Sequence, residues 1–191
     1  MRPSLAHFAA ACMLLALTAC GTTSGISNPE ATPAANLAVY ERVVVADFED
    51  ATKEQSTQSM NAAREFPDLI VQQVRASGVF ESVERGADGT APGTLLLTGS
   101  VTRYREGNAA ARALFGFGAG SSYFDALVEL RDGASQSVLG FIEVDKNSWP
   151  LGGLLAATQT TRTFMEGAAK KVAQELRKQR PAASAEGEPA P

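Results

Sequence analysis

Two consecutive stretches of alternation constrain the fold of this chain more than anything else in it. From Ser122 to Arg131, residues Phe124, Ala126, Val128 and Leu130 fall on one side of an extended backbone, and Tyr123, Asp125, Leu127, Glu129 and Arg131 on the other. From Val138 to Asp145, residues Val138, Ile142 and Val144 repeat the apolar side. Successive side chains of a strand point to opposite faces, so each stretch predicts a strand with one face toward a core. Asp132-Gly133, extended by Ala134-Ser135, marks a hairpin turn between them. The two are most simply an antiparallel pair.

The rest of the chain supplies partners for that pair. Tyr40–Phe48 carries three consecutive β-branched residues, Val43, Val44 and Val45, and reads as a central strand buried on both faces. The carboxylates that follow, Asp47, Glu49 and Asp50, read as a solvated strand end. Between Met60 and Ser77, Phe66, Leu69, Ile70 and Val74 fall on one helical face. Pro67 either opens this helix near its first turn or kinks a longer one, and Gly78 is a good residue to end it. Val79, Phe80 and Val83 predict a short second strand. Thr94–Tyr104 predicts a third, with Leu95, Leu97 and Val101 on one face and Thr98, Ser100, Thr102 and Tyr104 on the other. Asn108 can cap a short helix over Ala109–Phe115, ended by Gly116. The last helix starts at Thr160 or Thr161 and repeats Phe164, Ala168, Val172 and Leu176 every four residues. The order β-α-β-β-β-β-α predicts an α/β (α+β) fold: a mixed sheet of about five strands covered by two main helices, in one domain over residues 39–179.

The ends read differently. Arg2 precedes an apolar run, Ala6–Leu17, too short for a membrane span. It ends in Leu17-Thr18-Ala19-Cys20, which resembles the lipobox of bacterial lipoproteins: an aliphatic residue, two small ones, then the cysteine that takes the lipid. Residues 1–19 are then a signal peptide, Cys20 the lipidation site, and residues 20–38 a small, polar, proline-bearing tether. Gly21 after the cysteine, by resemblance to the sorting rule of such proteins, implies the periplasmic leaflet of the outer membrane. Residues 180–191 read as a disordered tail.

Both cysteines and the single histidine lie within the first twenty residues. The domain therefore has no thiol or imidazole from which to build a disulfide, a Cys/His zinc site or a His-based triad. A net charge of −4 suggests no nucleic-acid surface. Gly116-Phe117-Gly118-Ala119-Gly120 lacks the Lys-Ser or Lys-Thr of a phosphate loop. The outward carboxylates Asp125, Glu129, Glu143 and Asp145 could pair as acid and base, but such positions more often solubilise a strand. The expectation is a protein that is no enzyme and uses no metal or cofactor.

Two glycine-rich connections stand out because they are apolar where polar residues belong. One carries Leu114, Phe115, Phe117 and Tyr123; the other carries Trp149, Leu151, Leu154 and Leu155. At one end of the sheet they would make a patch for an envelope protein partner or a second copy, or else pack on each other. A carrier or sensor of a lipid or envelope fragment is the alternative.

The lipobox, VVVADF, GVFESV, the long segment LTGSVTRYREGNAAARALFGFGAGSSYFDALVELRD and the late AAKKVA together resemble a bacterial lipoprotein family known as a domain of unknown function (number forty-four ten). That resemblance brings no catalytic residue with it. The layout is also similar to the periplasmic domains of the curli-secretion lipoprotein and of lipoprotein activators of peptidoglycan synthases, which implies an accessory role and possible self-association.

Overall fold

The computed structural model describes Ile26 and residues 36–108, 120–147 and 160–180. Among the described residues, a 3-10 turn at Leu37–Val39 is followed by six strands and two α-helices: β1 (Arg42–Val45), β2 (Glu49–Asp50), α1 (Thr57–Ser77), β3 (Ser82–Arg85), β4 (Thr94–Arg105), β5 (Tyr123–Asp132), β6 (Val138–Asn147) and α2 (Thr161–Gln179). The expected α+β layering and element order hold, with the two-residue β2 as an addition. The sheet runs β3-β1-β4-β5-β6, with β2 also beside β4. β1 is parallel to both of its neighbours, whereas β4-β5 and β5-β6 are antiparallel.

Both helices lie on one face of the sheet and pack against each other. α1 buries Phe66, Leu69, Ile70 and Val74, as their spacing requires, and α2 buries Phe164, Ala168, Val172 and Leu176. Phe66 sits at the centre, edge-on to Phe48 (ring centroids 5.6 Å apart) and Phe124 (4.8 Å). α1 starts earlier than its apolar pattern, at Thr57, because Ser56 and Ser59 form a reciprocal capping box. Pro67 therefore lies in the interior of the longer helix, not in its first turn. Gly78 closes α1 in the left-handed conformation, φ 66°.

β1 is buried on both faces, as its three valines require. Val43 and Val45 join the core under the helices, while Val44 and Leu96 face the other side. The connection after β3 covers them there: a Cβ on Gly89 would lie 2.6 Å from Leu96 Cδ1. The folded chain also begins before residue 39. Leu37 is fully buried and Ile26 packs against the core, so part of the expected tether lies on the domain.

Three one-residue irregularities reset which face a side chain takes, and two overturn expectations. Between β1 and β2, residues 46–48 run opposite only 98 and 99. The extra residue turns Phe48 inward over Gly99, where a Cβ would meet the Phe48 ring at 2.7 Å. In β4 the register shifts between Val101 and Arg103, so Thr102 is extra and Tyr104 pairs with the buried Phe124. Tyr104 thus packs against the core and not beside Thr98 and Ser100. In β6, Leu130 pairs with Gly140 and Arg131 with Val138, leaving Leu139 extra. Val138 consequently faces solvent, 40% exposed, while Leu139 packs inward.

Candidate interaction surface

The pairing of β4, β5 and β6 decides where the two apolar connections start. Arg105 pairs with Tyr123, and Tyr123 with Asn147. The last residue of β4, the first of β5 and the last of β6 therefore sit side by side. Neighbouring strands lie about 5 Å apart. α2 starts there too, since Thr161 Oγ1 donates to the Arg105 carbonyl (3.5 Å). Both connections thus spring from one end of the sheet. The chain enters β1 at the opposite end: Tyr40 precedes β1, and its hydroxyl donates to Asp132 at the β5–β6 turn (2.9 Å). With eleven steps from Thr94 to Arg105, the two ends stand about 35 Å apart.

Of the expected contact residues, Tyr123 is described; Leu114, Phe115, Phe117, Trp149, Leu151, Leu154 and Leu155 lie outside the described residues, as do Cys20 and the short helix expected at 109–115. Tyr123 is half-buried, and its ring lies under the Arg103 guanidinium at 4.5 Å. Arg103 Nε also donates to Asp125 Oδ2 (2.7 Å). Burial pushes the Asp125 carboxyl up, opposed by Arg103 and a Lys146 backbone hydrogen bond, and reinforced by Asp145 and Glu143. Its other oxygen, Oδ1, is buried without a hydrogen-bond partner. Glu129 is likewise engaged, with Arg131 at 2.5 Å. Beneath the connections, Gly107 N donates to Ser122 Oγ (3.1 Å) and Asn108 N to the Gly120 carbonyl (3.0 Å), closing the base of the first.

The carboxylates after β1 have structural partners. Arg85 holds Asp47 and Asp68, each at 2.7 Å. Asp50 accepts from Ser59 Oγ (2.5 Å) and from Thr52 N and Oγ1 (3.0 and 2.6 Å), tying the 51–56 connection to the first turn of α1. Burial alone would raise this carboxyl; those hydrogen bonds outweigh it and hold it below the usual range.

Sequence reasoning missed a groove of about 670 Å³ beside this sheet end, between residues 52–58 and Thr102–Glu106. Tyr104 and Tyr123 line it together with Lys53, Glu54 and Arg105. Burial, then the charge of Glu106, pushes the Tyr104 phenol up. No local pattern announces the groove, because it arises where β2 stops and β4 continues. Among the described residues no helix is long and apolar enough to cross a membrane.

A family model described as "Domain of unknown function (DUF4410)" matches residues 30–152. No curated protein matches the sequence. Among solved structures, the PelC dodecamer from Paraburkholderia phytofirmans superposes with a TM-score of 0.55 at 15% identity, over 78% of this chain and 95% of that one. A variant PelC dodecamer from the same organism gives 0.53 at 18% identity, over 76% and 92%. At these identities the likeness is one of fold.

Proposed function

The chain belongs to the DUF4410 family, and we propose that it works as a non-enzymatic accessory or assembly factor of the bacterial envelope. In this reading Cys20 carries the lipid that holds it at the outer membrane, and the domain stands in the periplasm. Its apolar end binds a protein partner or further copies of itself. The observation that carries the reading is that both glycine-rich apolar connections start from one end of the sheet, about 35 Å along the strands from where the chain enters β1. A lipid at the tether side and an adhesive surface at the far end make a presenting device. The connections carry seven large apolar side chains among their glycines: Leu114, Phe115, Phe117, Trp149, Leu151, Leu154 and Leu155. Two fold relatives are dodecamers, which supports self-association into a closed assembly as one form of that binding.

The test is photo-crosslinking in intact cells from Phe117 and, separately, from Leu154. A defined protein or a second copy on the crosslink supports the reading. Crosslinks to lipid alone, with a co-purifying lipid in the mass spectrum, would instead favour the carrier alternative. Phe117→Ser with Leu154→Ser should abolish the assembly and leave the circular dichroism spectrum unchanged.

A further inference from the structure

We propose that Lys171 locks the outer edge of β6 and so keeps a second copy of the chain from adding to the sheet through its own β6. Backbone hydrogen bonds fix which way that edge faces. Ala46 N donates to the Leu97 carbonyl and Ala51 N to the Val101 carbonyl (both 2.9 Å). These residues of β4 thus bond toward β1 and β2, and Thr98 and Ser100 between them bond toward β5. Their partners Glu129 and Leu127 are then spent on β4, which leaves Val128 and Ala126 for β6. Opposite those stand Ile142 and Val144, so Glu143 and Asp145 turn their N–H and C=O groups away from β5.

Among the described residues no strand lies beyond β6. An outward row of backbone groups is a template for another strand. Here it is closed at its middle: Lys171 Nζ, reaching over from α2, donates to the Glu143 carbonyl (2.8 Å). A strand arriving at this edge needs that oxygen as an acceptor and meets a charged donor already on it. The opposite edge of the sheet carries the same device. Ser82 N and Gly86 N donate to the Glu41 and Val45 carbonyls (3.4 and 3.2 Å), so Val83 turns outward. Arg75 Nη2, from α1, donates to the Val83 carbonyl (2.6 Å). Each helix thus sends one cation across the edge that it flanks.

The lengths of the two edges select what the lock excludes. β3 has four residues, whereas β6 has ten. The longest edge that a second copy can offer is therefore β6 itself, and two identical strands related by a twofold axis pair antiparallel. Glu143 and Asp145 add a second barrier, because both are exposed and such pairing brings the two acidic strands together. Copies that assemble through the apolar connections then do so without merging their sheets. The lock itself does not depend on that assembly.

The test separates the two barriers. One variant of the full chain carries Glu143→Gln with Asp145→Asn; a second adds Lys171→Ala, and a third adds Lys171→Arg instead. Amide exchange at positions 143 and 145 is followed by NMR over a range of protein concentration, beside sedimentation velocity. With Lys171→Ala, exchange at both amides should slow about tenfold as concentration rises, and the sedimenting mass should rise about twofold over that of the variant that keeps Lys171. The variants with Lys171 in place or with Lys171→Arg should show neither change. Equal exchange in all three would overturn the lock. Protection already present with Lys171 in place would also overturn it, by making the acids the barrier. So would association that protects other amides alone. Each of these results leaves the Phe117 and Leu154 crosslinks as the separate test of the accessory role.

Discussion

Replacing Phe66 with alanine tests the packing on which the sheet end depends. Phe66 is fully buried on α1 and meets Phe48 and Phe124 edge-on. Phe124 follows Tyr123, so the aromatic contact runs from the helix to the start of β5. Truncating a buried phenylalanine to alanine costs about 3–5 kcal/mol, from lost transfer energy plus the cavity left behind. Each edge-to-face pair contributes about 0.5–1.5 kcal/mol beyond area, which places this site toward the upper part of that range. With a urea slope of about 2 kcal/mol per M, the unfolding midpoint should fall by about 2 M. Phe66→Leu keeps most of the volume and should lose about 1–1.5 kcal/mol. Equilibrium urea unfolding followed by circular dichroism measures both. A midpoint that moves by less than about 0.5 M in Phe66→Ala would mean that α1 does not seat on the sheet as described.

Other consequences follow from single positions. Gly99→Ala would place a Cβ 2.3 Å from the Leu127 carbonyl oxygen and 2.7 Å from the Phe48 ring; it should cost about 1–3 kcal/mol in urea unfolding, and a neutral result would remove the close approach. Val138→Thr should change stability by less than about 0.5 kcal/mol while Ile142→Thr costs well over 1; equal losses would contradict the one-residue shift in β6. Asp132 is held below its usual range by the Ser135 backbone hydrogen bond, then by the Ser135 and Tyr40 hydroxyls. A depressed folded pKa means that its contribution is full above the unfolded value of about 4 and disappears as pH falls through the folded one. The stability gap between the native chain and Asp132→Asn should therefore narrow on going from neutral pH into that acid range, and a constant gap refutes the assignment. Burial, then Asp132's hydrogen bond and charge, push the Tyr40 phenol up to about 12, so its contribution is full below the unfolded value of about 10, declines as pH rises above it and is gone once pH passes about 12; ultraviolet tyrosinate titration of Tyr40→Phe against the native chain reads the shift out.

Much of the fold was legible from period and punctuation. The apolar period of 3.6 in α1 and α2, the period of 2 in β5, the double burial of β1 and the glycine after Ser77 all arise from neighbours within a few residues, and the structure keeps them. The face taken by Tyr104 and Val138 was not legible. Each depends on one extra residue in a ladder, and that count is made against a partner strand, not along the chain itself.

The candidate surface divides along the same line. Two apolar, glycine-rich connections can be read directly from residues 113–124 and 149–157. That they start side by side depends on β4, β5 and β6 being adjacent, which is a matter of topology. The groove lies deeper still beyond local pattern, since it exists only because a strand on one track ends before its neighbour does. Composition alone removes thiol and imidazole chemistry from the domain, because a residue that is absent cannot be supplied by folding. Tertiary structure alone decides which of the remaining groups meet: Arg103 with Tyr123 and Asp125, and Tyr104 with Phe124, because those meetings join residues far apart in the chain whose proximity no local energy encodes.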